Sequence, residues 1–141
     1  MGAGDLATVP LILEGALRRL NVSTTTIIKP HDLTVEQWRV LDCVARGDEM
    51  TMTELARTVL VPTPTVTRIV DKLVSMALVY RSSGMNDRRH VLVHASTRGL
   101  RLHTRLAPQI RQAQASIFEG VTQEQQEQLL SLLRLLGQPS G

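Results

Sequence analysis

Thr51-Met52-Thr53-Glu54-Leu55-Ala56-Arg57-Thr58-Val59-Leu60-Val61-Pro62-Thr63-Pro64-Thr65-Val66-Thr67-Arg68-Ile69-Val70-Asp71-Lys72-Leu73 is the stretch from which the fold is read. Thr51 and Glu54 match a capping box, in which each side chain bonds the other residue's backbone amide. A short helix is therefore predicted over 52–58, with Leu55, Ala56 and Val59 turned inward. Leu60-Val61-Pro62 leaves room only for a tight connection. Thr63 is read as the cap of a second helix running to about 77, with Pro64 in the first turn, where a missing N–H does no harm. At about 100° per residue, Val66, Ile69, Val70, Leu73 and Val74 fall on one face. Pro64, Arg68, Asp71 and Ser75 point away from it, flanked by Thr65 and Lys72. That outer face suits a DNA major groove, where arginine reads guanine edges and threonine meets phosphate or a thymine methyl. Taken alone, the same pattern also describes an ordinary amphipathic surface helix, so the flanking sequence must decide.

Upstream, apolar residues recur at helical period from Leu6 to Leu20, predicting a helix over 6–28 that begins near Pro10 and stops before Pro30. Thr34 caps a further helix over 35–46, with Val35, Trp38, Leu41 and Ala45 on one stripe and Gly47 in the left-handed closing position. Downstream, strands are predicted over 78–81 and 90–95, where Val91 and Val93 alternate with polar neighbours. The tip between them is rich in turn residues and contains Gly84. Ser96 caps a helix to about 118, in which Gly99 and Pro108 are candidate soft points. Thr122 and Gln125 form another capping box before a leucine-rich helix. The expected fold class is mainly α with a small β-hairpin wing: a winged helix-turn-helix with additional helices on either side.

The chain of 141 residues suits one domain, and 43% hydrophobic with only 2% aromatic content demands an aliphatic core. The net charge of +3 matters less than its placement. Residues 68–105 hold eight cations against two carboxylates, whereas residues 1–50 hold five against seven. A basic block covering one helix and a hairpin is what a polyanion needs. Arg81, Arg88 and Arg89 are placed on the hairpin to meet a minor groove or phosphate. Asp87 is expected to pair with a neighbouring arginine and hold the wing's shape.

Other chemistries find little support. A single cysteine, Cys43, permits no internal disulfide and is read as a buried thiol. His31, His90, His94 and His103 match no zinc spacing. No phosphate-cradling glycine loop or Ser/His/Asp set stands out, so neither an enzyme nor a cofactor is expected. No leader and no apolar run of about 18 residues is seen, which predicts a cytoplasmic protein with no membrane partner.

The segment 33–99 resembles the MarR family of winged-helix regulators. The resemblance is carried by Leu33-Thr34 with Trp38 and Leu41, by Glu54-Leu55-Ala56, and by the run from Thr65 to Leu73. Leu78-Val79-Tyr80-Arg81, Asp87-Arg88-Arg89 and Ala95-Ser96-Thr97-Arg98-Gly99 complete it. Two positions depart from the family pattern: Leu60 stands where a glycine is usual, and Pro62-Thr63-Pro64 replaces a serine near the recognition-helix start. The resemblance implies a homodimer on a pseudo-palindromic site in double-stranded DNA, often answering to a small-molecule effector. It divides the chain into an N-terminal dimerisation helix (1–33), a DNA-binding region (34–98) and C-terminal dimerisation helices (99–141). DNA contacts are expected from Thr63, Pro64, Thr65, Thr67, Arg68 and Lys72 on the recognition helix and from Arg81, Arg88 and Arg89 on the wing. Arg18, His31, Trp38 and Arg39 lie on segments that would line an effector pocket, with an arginine for an aromatic carboxylate and Trp38 as an apolar wall. The competing reading makes Trp38 core and the arginines surface pairs. Two other functions stay open: a protein-interaction adaptor built on a winged helix, and a thiol redox sensor using Cys43.

Overall fold

The computed structural model describes residues 4–47, 49–83 and 90–138. The hairpin tip, with Asp87, Arg88 and Arg89, lies outside them. A single 3-10 turn, Leu6–Thr8, leads into α1 (Val9–Ile28), whose Pro10 sits in the first turn as expected. Thr24 and Thr26 do not fray its end, because each hydroxyl bonds the carbonyl four residues back. A 3-10 turn, Lys29–His31, then leads to α2 (Val35–Ala45), capped by Thr34 and Gln37 in a reciprocal box. Gly47 closes α2 with φ 97°.

The helix-turn-helix consists of α3 (Met52–Val59) and α4 (Thr63–Ser75), with the Thr51–Glu54 capping box formed as read. The wing strands are β2 (Val79–Ser83) and β3 (Val91–Ala95), paired antiparallel with Arg81 opposite Val93. Sequence reasoning missed the short β1 (Met50–Thr51), which adds to the other edge of β3 and gives the order β1-β3-β2. A two-residue strand has no room for an alternating pattern, so no local signal marks it. The chain closes with α5 (Thr97–Ile117), which runs unbroken through Pro108, and α6 (Gln123–Gly137).

Two details of the recognition helix differ from expectation. Its N-cap is Pro62 rather than Thr63, and no side chain caps the helix; Thr63 is the first helical residue. Val74, read as inward-facing, is 36% exposed and lies at the rim of the stripe. Val66, Val70 and Leu73 are fully buried, together with Leu41, Leu55 and Val93, in one aliphatic core beneath α4. Trp38 joins this core at its edge.

The turn before α4 keeps a left-handed geometry without glycine. Leu60 adopts φ 61°, and its amide and that of Val61 both bond the Ala56 carbonyl. Its side chain is 87% exposed, so leucine gains little burial for this backbone cost. The left-handed region costs an L-residue about 1–2 kcal/mol, partly offset by the greater unfolded-chain entropy of glycine. Leu60→Gly is therefore expected to stabilise the fold by roughly 0.5–1 kcal/mol, a rise of a few degrees in a thermal melt. A lower midpoint would show that Leu60 makes contacts worth more than its strain.

Gly99 fixes how α5 departs from the wing. A Cβ built there would lie 2.0 Å from the Leu78 carbonyl oxygen and 3.3 Å from Leu41 Cδ1. That carbonyl accepts the Ser96 amide at 3.0 Å, while Ser96 Oγ donates to the Ala77 carbonyl and caps the Gly99 amide. The start of α5 is thus latched to the residues that follow α4, which sets the long helix against the helix-turn-helix lobe.

Candidate nucleic-acid interface

The outward face of α4 presents Thr63, Pro64, Arg68, Asp71, Lys72 and Ser75 to solvent. Thr65 and Thr67 are half-buried, and the Thr67 hydroxyl is occupied by the Thr63 carbonyl at 3.0 Å. The helix start offers few backbone donors to an anion. Pro62 and Pro64 lack an N–H, and the amides of Thr65 and Val66 both return to the Pro62 carbonyl. An anion placed at this helix start would have to be met by side chains, with Thr63 at the tip and Arg68 five residues further along.

Arg81 is not a free cation on the wing. Its Nη2 donates to Asp71 Oδ1, so β2 is tied to the outer face of the recognition helix. The pairing expected of Asp87 lies outside the described residues; Asp71 makes a tie of this kind that the sequence reading did not anticipate. Further up the hairpin, Ser82 Oγ and His94 Nε2 lie 2.6 Å apart, and His94 stacks on Tyr80. These contacts stiffen the base of the wing.

The residues expected to line an effector site are divided by the fold. Trp38 and Arg39 share a cleft of about 230 Å³ between α1, α2 and α5. Its apolar side includes Leu17, Leu20 and Ile110, and its polar side includes Asn21, Arg111 and Gln114. Arg39 donates to Asn21 Oδ1 at 2.8 Å, which holds the guanidinium across the cleft. His31 lines a different cleft, and Arg18 lies on the solvent side of α1. A contact that sequence reasoning missed supports Trp38: His103 stacks on it with ring centres 5.3 Å apart and donates to Asp42 Oδ1 at 2.7 Å. Asp42 in turn receives Arg46 at 2.9 Å. The partners Asp42 and His103 are 61 residues apart, too far for any local pattern to connect. Beside them Cys43, read as buried, is only half-buried, at the rim of the core; that partial burial still pushes its thiol up, with Asp42 adding to the effect and Arg46 opposing it. This lowers the fraction of reactive thiolate.

A helix-turn-helix with a polar outer helix face, a hairpin at its shoulder and long helices on either side defines a winged helix-turn-helix transcriptional regulator. Comparison with known proteins gives the family. The chain matches the MarR family over residues 33–91. It is 32% identical over 107 residues to the homoprotocatechuate degradative operon repressor of Escherichia coli, covering 76% of this chain and 72% of the relative. Among solved structures, NadR in complex with 4-hydroxyphenylacetate superposes with a TM-score of 0.85 at 23% identity, covering 99% of this chain and 100% of that one. BpsR of Bordetella bronchiseptica, whose DNA binding is regulated by 6-hydroxynicotinic acid, gives a TM-score of 0.82 at 23% identity, with the same coverage. The chain belongs to the MarR family of transcriptional regulators. Among the described residues, no helix is long and apolar enough to cross a membrane.

Proposed function

We propose that this chain represses transcription as a homodimer that binds a pseudo-palindromic operator. One observation carries the reading: α4 buries an aliphatic stripe and leaves Thr63, Arg68 and Lys72 exposed on the opposite side. Two such helices in a dimer would enter successive major grooves about 34 Å apart. Phosphate contacts from the wing and Lys72 would supply most of the affinity, and Arg68 would read a base. The division into a central DNA-binding region (34–98) and flanking dimerisation helices is supported by α6, which has no buried residue in the single chain. An adaptor role fits less well, because the outer face of α4 offers no apolar surface for a protein partner.

The cleft beside Trp38 is proposed to take an aromatic carboxylate, with the acid group on Arg39 and the ring against Trp38. The ligands bound by NadR and regulating BpsR, both hydroxylated aromatic acids, support this chemistry. Occupancy would shift the spacing of the two recognition helices and lower operator affinity.

The test is the affinity of Arg68→Ala for operator and for random duplex, read by fluorescence anisotropy. Loss of a base contact is expected to cost about 1–3 kcal/mol on the operator and much less on random DNA. Equal losses on both would remove Arg68 from base reading and leave it a phosphate contact.

A further inference from the structure

Arg98, Arg101 and Arg105 are spaced three and four residues apart in the first half of α5, which places them on one helix face. All three are exposed and line a second cleft, of about 600 Å³, that shares no residue with the cleft beside Trp38. Its opposite wall is the α1–α2 connection, with His31 and Asp32. Met76, Leu78 and Leu102 supply an apolar lining.

The charge on α5 is unbalanced. The helix holds four arginines and no Asp or Glu. Arg98 and Arg101 lie near its N-terminus, the positive end of the helix dipole, where cations are unfavourable. Neighbouring cations at this spacing also repel one another. Among the described residues none of the three arginines is within ion-pair distance of a carboxylate, Asp32 included. The guanidiniums therefore face an open cleft uncompensated, at a cost that a bound anion would relieve.

We infer that this cleft binds an organic anion carrying at least two negative charges. The outer two arginines are seven residue steps apart, about 10 Å along the helix, which is more than one carboxylate can pair. Two separated acid groups, carboxylate or phosphoryl, match that span, and the carbon body between them rests on Met76, Leu78 and Leu102. Duplex DNA is the weaker candidate. The cleft lies at the C-terminal end of α4, about 20 Å of helix from Thr63 at the tip proposed to enter the groove.

Calorimetric titration of the full chain with benzene-1,3-dicarboxylate, with inorganic pyrophosphate and with benzoate tests the assignment. Binding is read directly, so the result does not depend on DNA recognition. Saturable binding of at least one dianion is expected, and which one binds separates a carboxylate from a phosphoryl ligand. Benzoate should bind at least tenfold more weakly at this cleft. Arg101→Gln should weaken the dianion by about tenfold or more, whereas Trp38→Ala should leave it unchanged. As an exposed substitution, Arg101→Gln should keep the parent melting temperature, and Arg105→Gln repeats the test at the next turn. Three results would overturn the inference: no saturation by either dianion up to about 10 mM, equal affinity in parent and Arg101→Gln, or loss of binding in Trp38→Ala alone. A variant that loses random-duplex affinity with dianion binding intact would assign the arginines to the DNA backbone instead.

Discussion

Replacing Leu132 and Leu136 together by aspartate should yield a monomer whose affinity for duplex DNA is at least about a hundredfold lower than that of the parent. Both side chains are largely exposed in the single chain, at 59% and 68%, and α6 has no buried residue. On α1, Leu11 and Ile12 are exposed by 74% and 65%. An apolar surface of this extent is what the proposed dimer would bury. Aspartate at two adjacent turns would leave charges without water or partners inside that interface, which costs several kcal/mol. A folded dimer binds its second half-site at the high local concentration set by the first, and a monomer forfeits this. Because the two leucines support no core of the single chain, the monomer should remain folded. Sedimentation and anisotropy would read both effects. A double variant that stays dimeric would place the interface elsewhere.

Gly99→Ala is expected to be the most damaging alanine substitution among the described glycines. Its Cβ would meet the Leu78 carbonyl oxygen at 2.0 Å, well inside any tolerated contact, and that oxygen cannot rotate away because it is backbone. Relief requires moving α5 off the connection between α4 and β2, which breaks the Ser96 latch to Ala77 and Leu78. Overpacking usually costs about 1–3 kcal/mol; a backbone clash coupled to two lost hydrogen bonds should reach the top of that range or pass it. A thermal melt should fall by about 10 °C. Because the same latch sets α5 against the recognition helix, operator affinity should drop even in the fraction that stays folded. A melt within a degree or two of the parent would mean that α5 approaches the lobe differently.

What was legible in the sequence was what neighbouring residues determine among themselves. The boxes at Thr51 and Thr122 and the cap at Ser96 formed as read, because a cap is a bond across three residues. The buried stripe of α4 was legible as far as Leu73, but Val74 lies at the edge of the lobe, and a helical wheel does not show where the covering surface ends. The misassigned cap at Thr63 has a similar origin: the motif permits threonine, yet the preceding turn had already placed Pro62 in the extended conformation of a cap. The candidate site was readable only in part. The outer face of α4 follows from period alone. The Arg81–Asp71 tie, the Asp42–His103 pair and the separation of His31 from Trp38 depend on how elements pack, which no local spacing encodes.

The decisive measurement is selection of bound duplexes from a random library at low salt, followed by footprinting of the enriched sequence. A dimer presenting α4 to the major groove should enrich an inverted repeat whose half-site centres lie about one helical turn, roughly 10 base pairs, apart, and Arg68→Ala should blur one position in each half. An enriched site without two-fold symmetry, or no enrichment at all, would contradict it.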